Sequence, residues 1–408
     1  MKKFKIPDYY QSPIIGKVKE IRRINDPRKK DFTPTLLNFG EVQFHIARHF
    51  GFCFGVENAI EISYRAISEN PDKKIYLLSQ MIHNPGVNED LLDHGIEFIQ
   101  DTNGDQLIPW NDINKEDIVI IPAFGTTLEI EHQINAIGIE VKQYNTTCPF
   151  VEKVWNRSEK LGSDDYTVVI HGIKNHEETR ATFSRSNQHA KSIIVKDIEE
   201  AKILAQFISD EKNISEFKST YKNSYSDNFN PETDLKRIGV VNQTTMLASE
   251  TQDITDYLSG VMEKRYGKEN IKSHFANTRD TLCYATNDNQ TATQNLLDIN
   301  AEIAIVVGGY NSSNTTHLVE LLDQTYTTYF IKDETEIDDQ FILNHFNIHS
   351  KRMERSESIL TNLPKNIILS SGASCPDATI DRVLQKILAF YESIETIETV
   401  LKSLKNEN

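Results

Sequence analysis

The sequence predicts an α/β protein built on largely parallel sheets, and three observations carry that reading. Short runs rich in Val and Ile recur along the chain, longer amphipathic stretches lie between them, and polar loops join the two kinds of segment. Strands that alternate with helices in this way specify parallel sheets covered by helices.

The elements follow in order. Residues 1–40 read as a polar extension punctuated by Pro7, Pro13, Pro27 and Pro34. Its first thirty-one residues hold ten Lys or Arg against four acidic residues, without the apolar stretch of a signal peptide or the Ser content of a transit peptide. A first α/β domain is expected over 41–148, with a helix at Val56–Ala66 and a strand at Ile118–Ile121. A second is expected over 149–280, with a helix at Val151–Leu161, strands at Val168–Ile170 and Ile193–Val195, a helix at Ser249–Lys264 and a polar insertion near 209–234. A third is expected over 281–395, with a helix at Asn287–Leu297, strands at Ile303–Val307 and Ile367–Leu369, a helix at Ile380–Ile394 and a polar insertion near 338–364. Residues 396–408 read as a frayed tail.

Composition narrows the function classes. The 408 residues carry a formal net charge of -16, with 38% hydrophobic and 25% charged residues. That balance fits a globular protein and argues against nucleic acid or an anionic membrane as partner, since both attract clustered Lys and Arg. No apolar run approaches the ~20 residues of a membrane-spanning helix. Four cysteines in so long a chain, none in a C-x-x-C pair, imply a reducing compartment, hence a soluble cytoplasmic protein.

Three of those cysteines share a setting. Cys53, Cys148 and Cys283 each stand immediately before a helical pattern, and Cys53-Phe-Gly-Val56-Glu57 faintly repeats as Cys148-Pro-Phe-Val151-Glu152. A thiol at a helix N-terminus meets unpaired N–H groups and the positive end of the helix dipole, which favour thiolate, the form a metal ligand or a nucleophile needs. Their separations of 95 and 135 residues are too wide for a zinc ribbon or a local ferredoxin-type motif. The echo suggests three α/β units about a shared centre. Cys375 reads as a packing residue.

Four polar loops each follow an apolar run and precede a helix: Gly172–Thr179 with His176 and Glu178, Asn242–Thr245, Gly308–Thr315, and Ser370–Ser374. In parallel α/β folds ligands bind at this strand-to-helix position, where helix N-termini and hydroxyls suit phosphate. Each hydroxyl taken singly is as readily a helix cap. His83-Asn84-Pro85 and His176-Glu177-Glu178 add imidazoles and carboxylates able to move protons, whereas His45, His49, His345 and His349 read as structural.

Taken together, Phe50-Gly-Phe-Cys53-Phe-Gly-Val, His83-Asn84-Pro, Thr146-Thr-Cys148-Pro-Phe-Val-Glu-Lys-Val-Trp155, Asn175-His176-Glu-Glu178-Thr, Asn242-Gln-Thr244-Thr, Cys283-Tyr-Ala-Thr, Gly309-Tyr-Asn-Ser312-Ser-Asn314 and Gly372-Ala-Ser374 resemble the 4-hydroxy-3-methylbut-2-enyl diphosphate reductase family, in order from about residue 45 to 390. The N-terminal extension and insertions are similar to its plant and cyanobacterial branch. The resemblance implies a trefoil of three α/β domains around one [4Fe-4S] cluster ligated by Cys53, Cys148 and Cys283, which leaves one iron without a protein thiolate. It implies that His83, His176, Thr244, Ser312, Ser313, Asn314 and Ser374 bind substrate, most through the diphosphate, and that Glu178 donates a proton. It further implies reductive dehydroxylation to isopentenyl and dimethylallyl diphosphate, the last step of the methylerythritol phosphate route, with a ferredoxin or flavodoxin as electron donor. One departure stands out: where many bacterial members carry histidine in Ala-His-Gly, this chain reads Ala123-Phe124-Gly125, with Thr126 and Thr127 as neighbouring hydroxyls.

Two rivals remain at this stage. A non-enzymatic iron–sulfur sensor or carrier would gain from Cys375 as a fourth ligand but leaves the donor-rich loops unexplained. A hydrolase or transferase using Cys148 as nucleophile with His83 or His176 gives no reason for three helix-opening cysteines.

Overall fold

The computed structural model describes residues 10, 12–276, 281, 283–340, 342–357 and 363–406; parts of the expected extension, the 338–364 insertion and the tail lie outside them. In chain order the strands are β1 (Thr35–Asn38), β2 (Gln43–Ile46), β3 (Ile75–Leu77), β4 (Ile96–Phe98), β5 (Ile118–Ile120), β6 (Thr167–His171), β7 (Ser192–Val195), β8 (Ile238–Asn242), β9 (Phe275–Ala276), β10 (Ile303–Val307), β11 (Thr327–Ile331), β12 (Leu343–Asn347), β13 (Arg352–Ser356) and β14 (Asn366–Ser371). The chain divides into two units: residues 1–57, 83–89 and 284–408 in the first, 58–82 and 90–283 in the second.

The first unit is built on a five-stranded sheet in the order β1-β2-β14-β10-β11. Every pairing is parallel except β1 with β2. The central runs are apolar because both faces are covered: Ile303–Val307 is buried along its whole length, and Phe44, Ile46, Phe330 and Ile368 are fully buried in one core. Amphipathic helices supply the cover. The helix Asp377–Leu388 buries Ile380, Val383, Leu384 and Ile387 on one face, and Ser313–Leu322 buries Leu318, Val319 and Leu322.

The second unit holds two parallel sheets, β4-β3-β5 and β7-β6-β8-β9. Ile75, Leu77, Ile118 and Ile120 fill the first, and Val168, Val169, Ile170, Val240 and Val241 fill the second. The α/β class with parallel sheets read from the alternating pattern is therefore the class observed.

Several local expectations are revised. The stretch expected as a polar extension contains a helix, Ile15–Asn25, whose Ile15 and Val18 are buried in the first core, and β1, whose Leu37 is fully buried. Asp381 holds that helix by accepting from Ile14 N–H at 2.9 Å and Ile15 N–H at 2.8 Å. The insertion near 209–234 buries Phe217, Tyr221 and Phe229 in the core, Phe217 and Phe229 stacking at 5.3 Å between centroids. In the 338–364 insertion β12 and β13 form an antiparallel pair with Leu343 fully buried. The tail continues as a helix, Ile397–Asn406, burying Val400, Leu401 and Leu404. The helix expected to reach Ile394 stops at Leu388, because the chain turns there to bury Tyr391, whose hydroxyl donates to the Pro364 carbonyl at 2.5 Å. The expected boundaries also put β2 in the first α/β domain and β14 in the third, whereas the two strands pair in one sheet.

Candidate active site

In the second unit, β6 and β8 run side by side, and the loops after their C-terminal ends carry His176, Glu178 and Thr244. Gln243 ties the two loops together. Its buried Oε1 accepts from Ile173 N–H at 3.0 Å and from the Thr179 hydroxyl at 2.9 Å, and its Nε2 donates to Thr245 Oγ1 at 2.7 Å. Gly172 has no room for a side chain: a Cβ would lie 2.7 Å from Thr179 Oγ1 and 3.0 Å from Gln243 Cβ.

That clamp presents Glu178 to Thr244. The carboxylate accepts from Thr244 N–H at 2.6 Å and from its hydroxyl at 2.8 Å. Glu178 is 1% exposed. Burial pushes its carboxyl up to about 7, against the pull of both Thr244 donors. A carboxyl poised there holds a proton through the neutral range and can give it up. His176 caps the helix Glu177–Ser186, its Nδ1 accepting from Glu178 N–H at 3.1 Å, so the neutral ring carries its proton on Nε2. Phe124 packs edge-on against the His176 ring at 5.3 Å and 83°. Its hydrocarbon ring fixes the plane of the imidazole.

In the first unit three loops meet beyond the C-terminal ends of β10 and β14. Gly309 lies against the backbone of His83, where a Cβ would come within 2.3 Å of the carbonyl oxygen, and Ser374 Oγ donates to that same carbonyl at 3.3 Å. Ser312 caps the helix Ser313–Leu322, accepting from Thr315 N–H at 3.3 Å and its hydroxyl at 3.0 Å. His83, Ser312, Ser313, Asn314 and Ser374 are thus on converging segments of one unit. Asn314 is decisive for what they can do: it is 3% exposed, and neither its Oδ1 nor its Nδ2 has a hydrogen-bond partner among the described residues. An unpaired buried amide costs about 1–3 kcal/mol, so a buried side chain with both ends unmet marks a polar ligand site.

The cysteines are all free thiols. Cys53 precedes the helix Phe54–Glu69 and its N–H donates to the Ala373 carbonyl at 3.3 Å. Cys148 is the N-cap of Pro149–Ser163, anchored by its N–H to the Ala123 carbonyl at 2.9 Å. Cys283 precedes Tyr284–Gln294, and two residues before it Thr281 donates to the buried Asn242 Oδ1 at 2.7 Å. Each therefore starts a helix, as the sequence pattern suggests, and Cys53 and Cys148 are held through their own N–H groups. Cys375 differs: it is fully buried in the first core, and burial pushes its thiol up. Gln243 was visible in the Asn-Gln-Thr-Thr motif, but nothing in the sequence marked its side chain as the strut.

The LytB protein family profile matches residues 44–388. The chain belongs to the LytB family. Curated relatives include the 4-hydroxy-3-methylbut-2-enyl diphosphate reductases of Rippkaea orientalis, 37% identical over 94% of this chain and 90% of the relative, and of Prochlorococcus marinus, 35% identical over 94% and 92%. This LytB chain is similar in fold to a solved reductase from Plasmodium falciparum, with a TM-score of 0.63, 20% identity and coverage of 91% of this chain and 99% of that one. A second solved structure of the (E)-4-hydroxy-3-methyl-but-2-enyl diphosphate reductase covers 84% of this chain and 98% of its own, with a TM-score of 0.52 and 24% identity. No described helix is long and apolar enough to cross a membrane.

Proposed function

We propose that the chain reductively removes the 4-hydroxyl of (E)-4-hydroxy-3-methylbut-2-enyl diphosphate, giving isopentenyl and dimethylallyl diphosphate and water, the terminal step of the non-mevalonate route, in the cytoplasm. The relatives carry the substrate assignment. The observation that carries the chemistry is Glu178, a buried carboxyl held near pKa 7 by burial beside Thr244.

The donor set fits an iron–sulfur cluster. Three free thiols at helix starts, where N–H groups and the helix dipole favour thiolate, suit iron better than a disulfide or a packing role. Cys53, Cys148 and Cys283 would hold one [4Fe-4S] cluster, which when bound would relay electrons from an external reductant and supply a Lewis-acidic iron.

The protein's own groups do the rest. Asn314 meets the diphosphate with the amide that has no partner among the described residues, and Ser312, Ser313, Ser374 and His83 add donors from the loops around it. His176 donates from Nε2. Glu178 holds a proton at its carboxyl and delivers it as the hydroxyl departs, which lets the leaving group go as water rather than hydroxide. Thr244 keeps the carboxyl oriented through both its N–H and its hydroxyl.

The test is anaerobic purification, an iron count and a visible spectrum, then assay on the diphosphate with reduced methyl viologen. Roughly four irons per chain, absorbance near ~400 nm and turnover to the two diphosphate products support the assignment. A folded, colourless, iron-free protein without turnover overturns it.

A further inference from the structure

Just past the C-terminal end of β2, where ligands bind in parallel α/β sheets, stand Arg48 and His49. Arg48 is 7% exposed, and its Nη2 reaches the Asp26 carboxylate only as an ion pair at 3.5 Å. Asn289 is 5% exposed and lies on the helix Tyr284–Gln294. Among the described residues, the buried Nε and Nη2 of Arg48, Nε2 of His49 and Nδ2 of Asn289 have no hydrogen-bond partner. All three side chains line one cavity of about 520 Å3 that lies wholly in the first unit. Buried polar groups are nearly always paired, so four unmet nitrogens around one cavity mark a place where a ligand brings the acceptors.

The field in that cavity favours an anion. Arg23 and Lys29 line it from the helix Ile15–Asn25 and the turn after it. Burial, with the charges of Arg48 and Lys29, pushes the His49 imidazole down to about 4, so the ring is neutral and its Nε2 can hold a proton toward an acceptor. Three carboxyls line the cavity as well. Asp377 is spent on Lys19 at 2.6 Å, and burial raises Glu57 and Asp288, which favours their uncharged forms. None of His83, Ser312, Ser313, Asn314 and Ser374 lines it, so it is separate from the diphosphate donors described above. Its volume is that of a small-molecule pocket rather than of a bare ion, and Phe52, Phe54 and Tyr284 give an organic body apolar surface to rest on.

We propose that this cavity is a second phosphate site, which takes the phosphate or diphosphate group of a small molecule on Arg48, His49 and Asn289, with Arg23 and Lys29 among the cations around it. The guanidinium donates in a fork that matches two phosphate oxygens, and the amide and imidazole meet the others. The site binds, and no bond is made or broken in it. Its occupant lies against the segment that leads from Arg48 to Cys53, so occupancy bears on one of the three helix-opening thiols without touching the catalytic donors. Free phosphate, a nucleotide and a prenyl diphosphate share this chemistry, and they differ in the body that the aromatic side chains would meet.

The experiment is calorimetric titration of the anaerobically purified full chain with inorganic phosphate, ADP and geranyl diphosphate as separate probes. The parent is N314A, which weakens the first diphosphate site, and R48Q or N289L is added to it. The expected result is that at least one probe binds the parent at a single site and that each added substitution raises its Kd roughly tenfold or more. The probe that binds tightest identifies the source of the phosphate. The urea midpoint of N289L should be no lower than that of its parent, because the substitution removes an unmet buried amide. Absence of binding by all three probes overturns the proposal, as does a Kd within about twofold of the parent in both variants. A lowered midpoint for N289L gives the amide a structural role and also overturns it; should R48Q fail to fold, N289L decides alone. Loss of viologen-driven turnover in the wild type bears on the reductase reading and leaves the binding result standing.

Discussion

Replacing Glu178 by Gln separates the proton from the shape of the side chain. The amide keeps an oxygen for Thr244 N–H, but its NH2 now faces the Thr244 hydroxyl, which must turn from donor to acceptor. Without a transferable proton, kcat should fall by about 10²–10⁴. Stability should move in a way that depends on pH. The wild-type carboxyl is raised from 4.5 to about 7 by burial, so the folded chain holds a proton that the unfolded chain releases. Its contribution is therefore fully present below the unfolded value and is lost as pH rises through the folded one. Between pH 5 and 8 that loss amounts to about 2–3 kcal/mol. E178Q lacks this slope, so its stability relative to wild type should improve by that amount from pH 5 to pH 8. The assay is viologen-driven turnover from pH 5 to 9, with urea unfolding of both proteins at each end. A kcat within threefold of wild type, or identical pH slopes in the two unfolding series, would refute the reasoning.

Cys53→Ser and Cys283→Ser should each lose iron, visible absorbance and turnover, whereas Cys375→Ala should keep the iron and lose only stability, about 1–2 kcal/mol for a small cavity; iron counts on the three variants check this. Asn314→Ala should raise KM for the diphosphate ~10–100-fold with little change in the urea midpoint, because the amide it removes has no partner among the described residues. Gln243→Leu should do the reverse in stability, leaving the Ile173 N–H and Thr179 hydroxyl without their acceptor at about 1–3 kcal/mol each, and lower kcat as the Glu178 and Thr244 loops lose their strut. Unfolding and initial-rate measurements on the same preparation test both halves.

How much of this was legible in the sequence depended on how each segment signals its burial. Ile303–Val307 and Val168–Ile170 announce themselves because both sheet faces are covered and every position is apolar. The three helix-opening cysteines were legible from the apolar periodicity after each, reinforced by Pro149 in the first turn. The helix Ile15–Asn25 was not, because only one narrow stripe of it is buried and charged side chains fill the rest. Phe217, Tyr221 and Phe229 were hidden among Lys, Ser and Asp, and their clustering depends on a stack that no linear window reveals. At the site, residue types pointed to Glu178 and Thr244, but the raised carboxyl needed burial, and the unmet amide of Asn314 needed its neighbours.

The pairing of β2 with β14 has a consequence for how the protein is made. His45 and Asn366 meet at 3.3 Å although 321 residues separate them, and Cys53 N–H waits for the Ala373 carbonyl. At 5–20 residues per second, a ribosome takes roughly 15–65 s to synthesise the missing partner after the first strand emerges. Throughout that interval the second unit can complete its own sheets, while Phe44, Ile46 and the thiol of Cys53 stay uncovered in the nascent chain. The N-terminal strand and the segment carrying Cys53 therefore gain their native partners only after β14 has been translated.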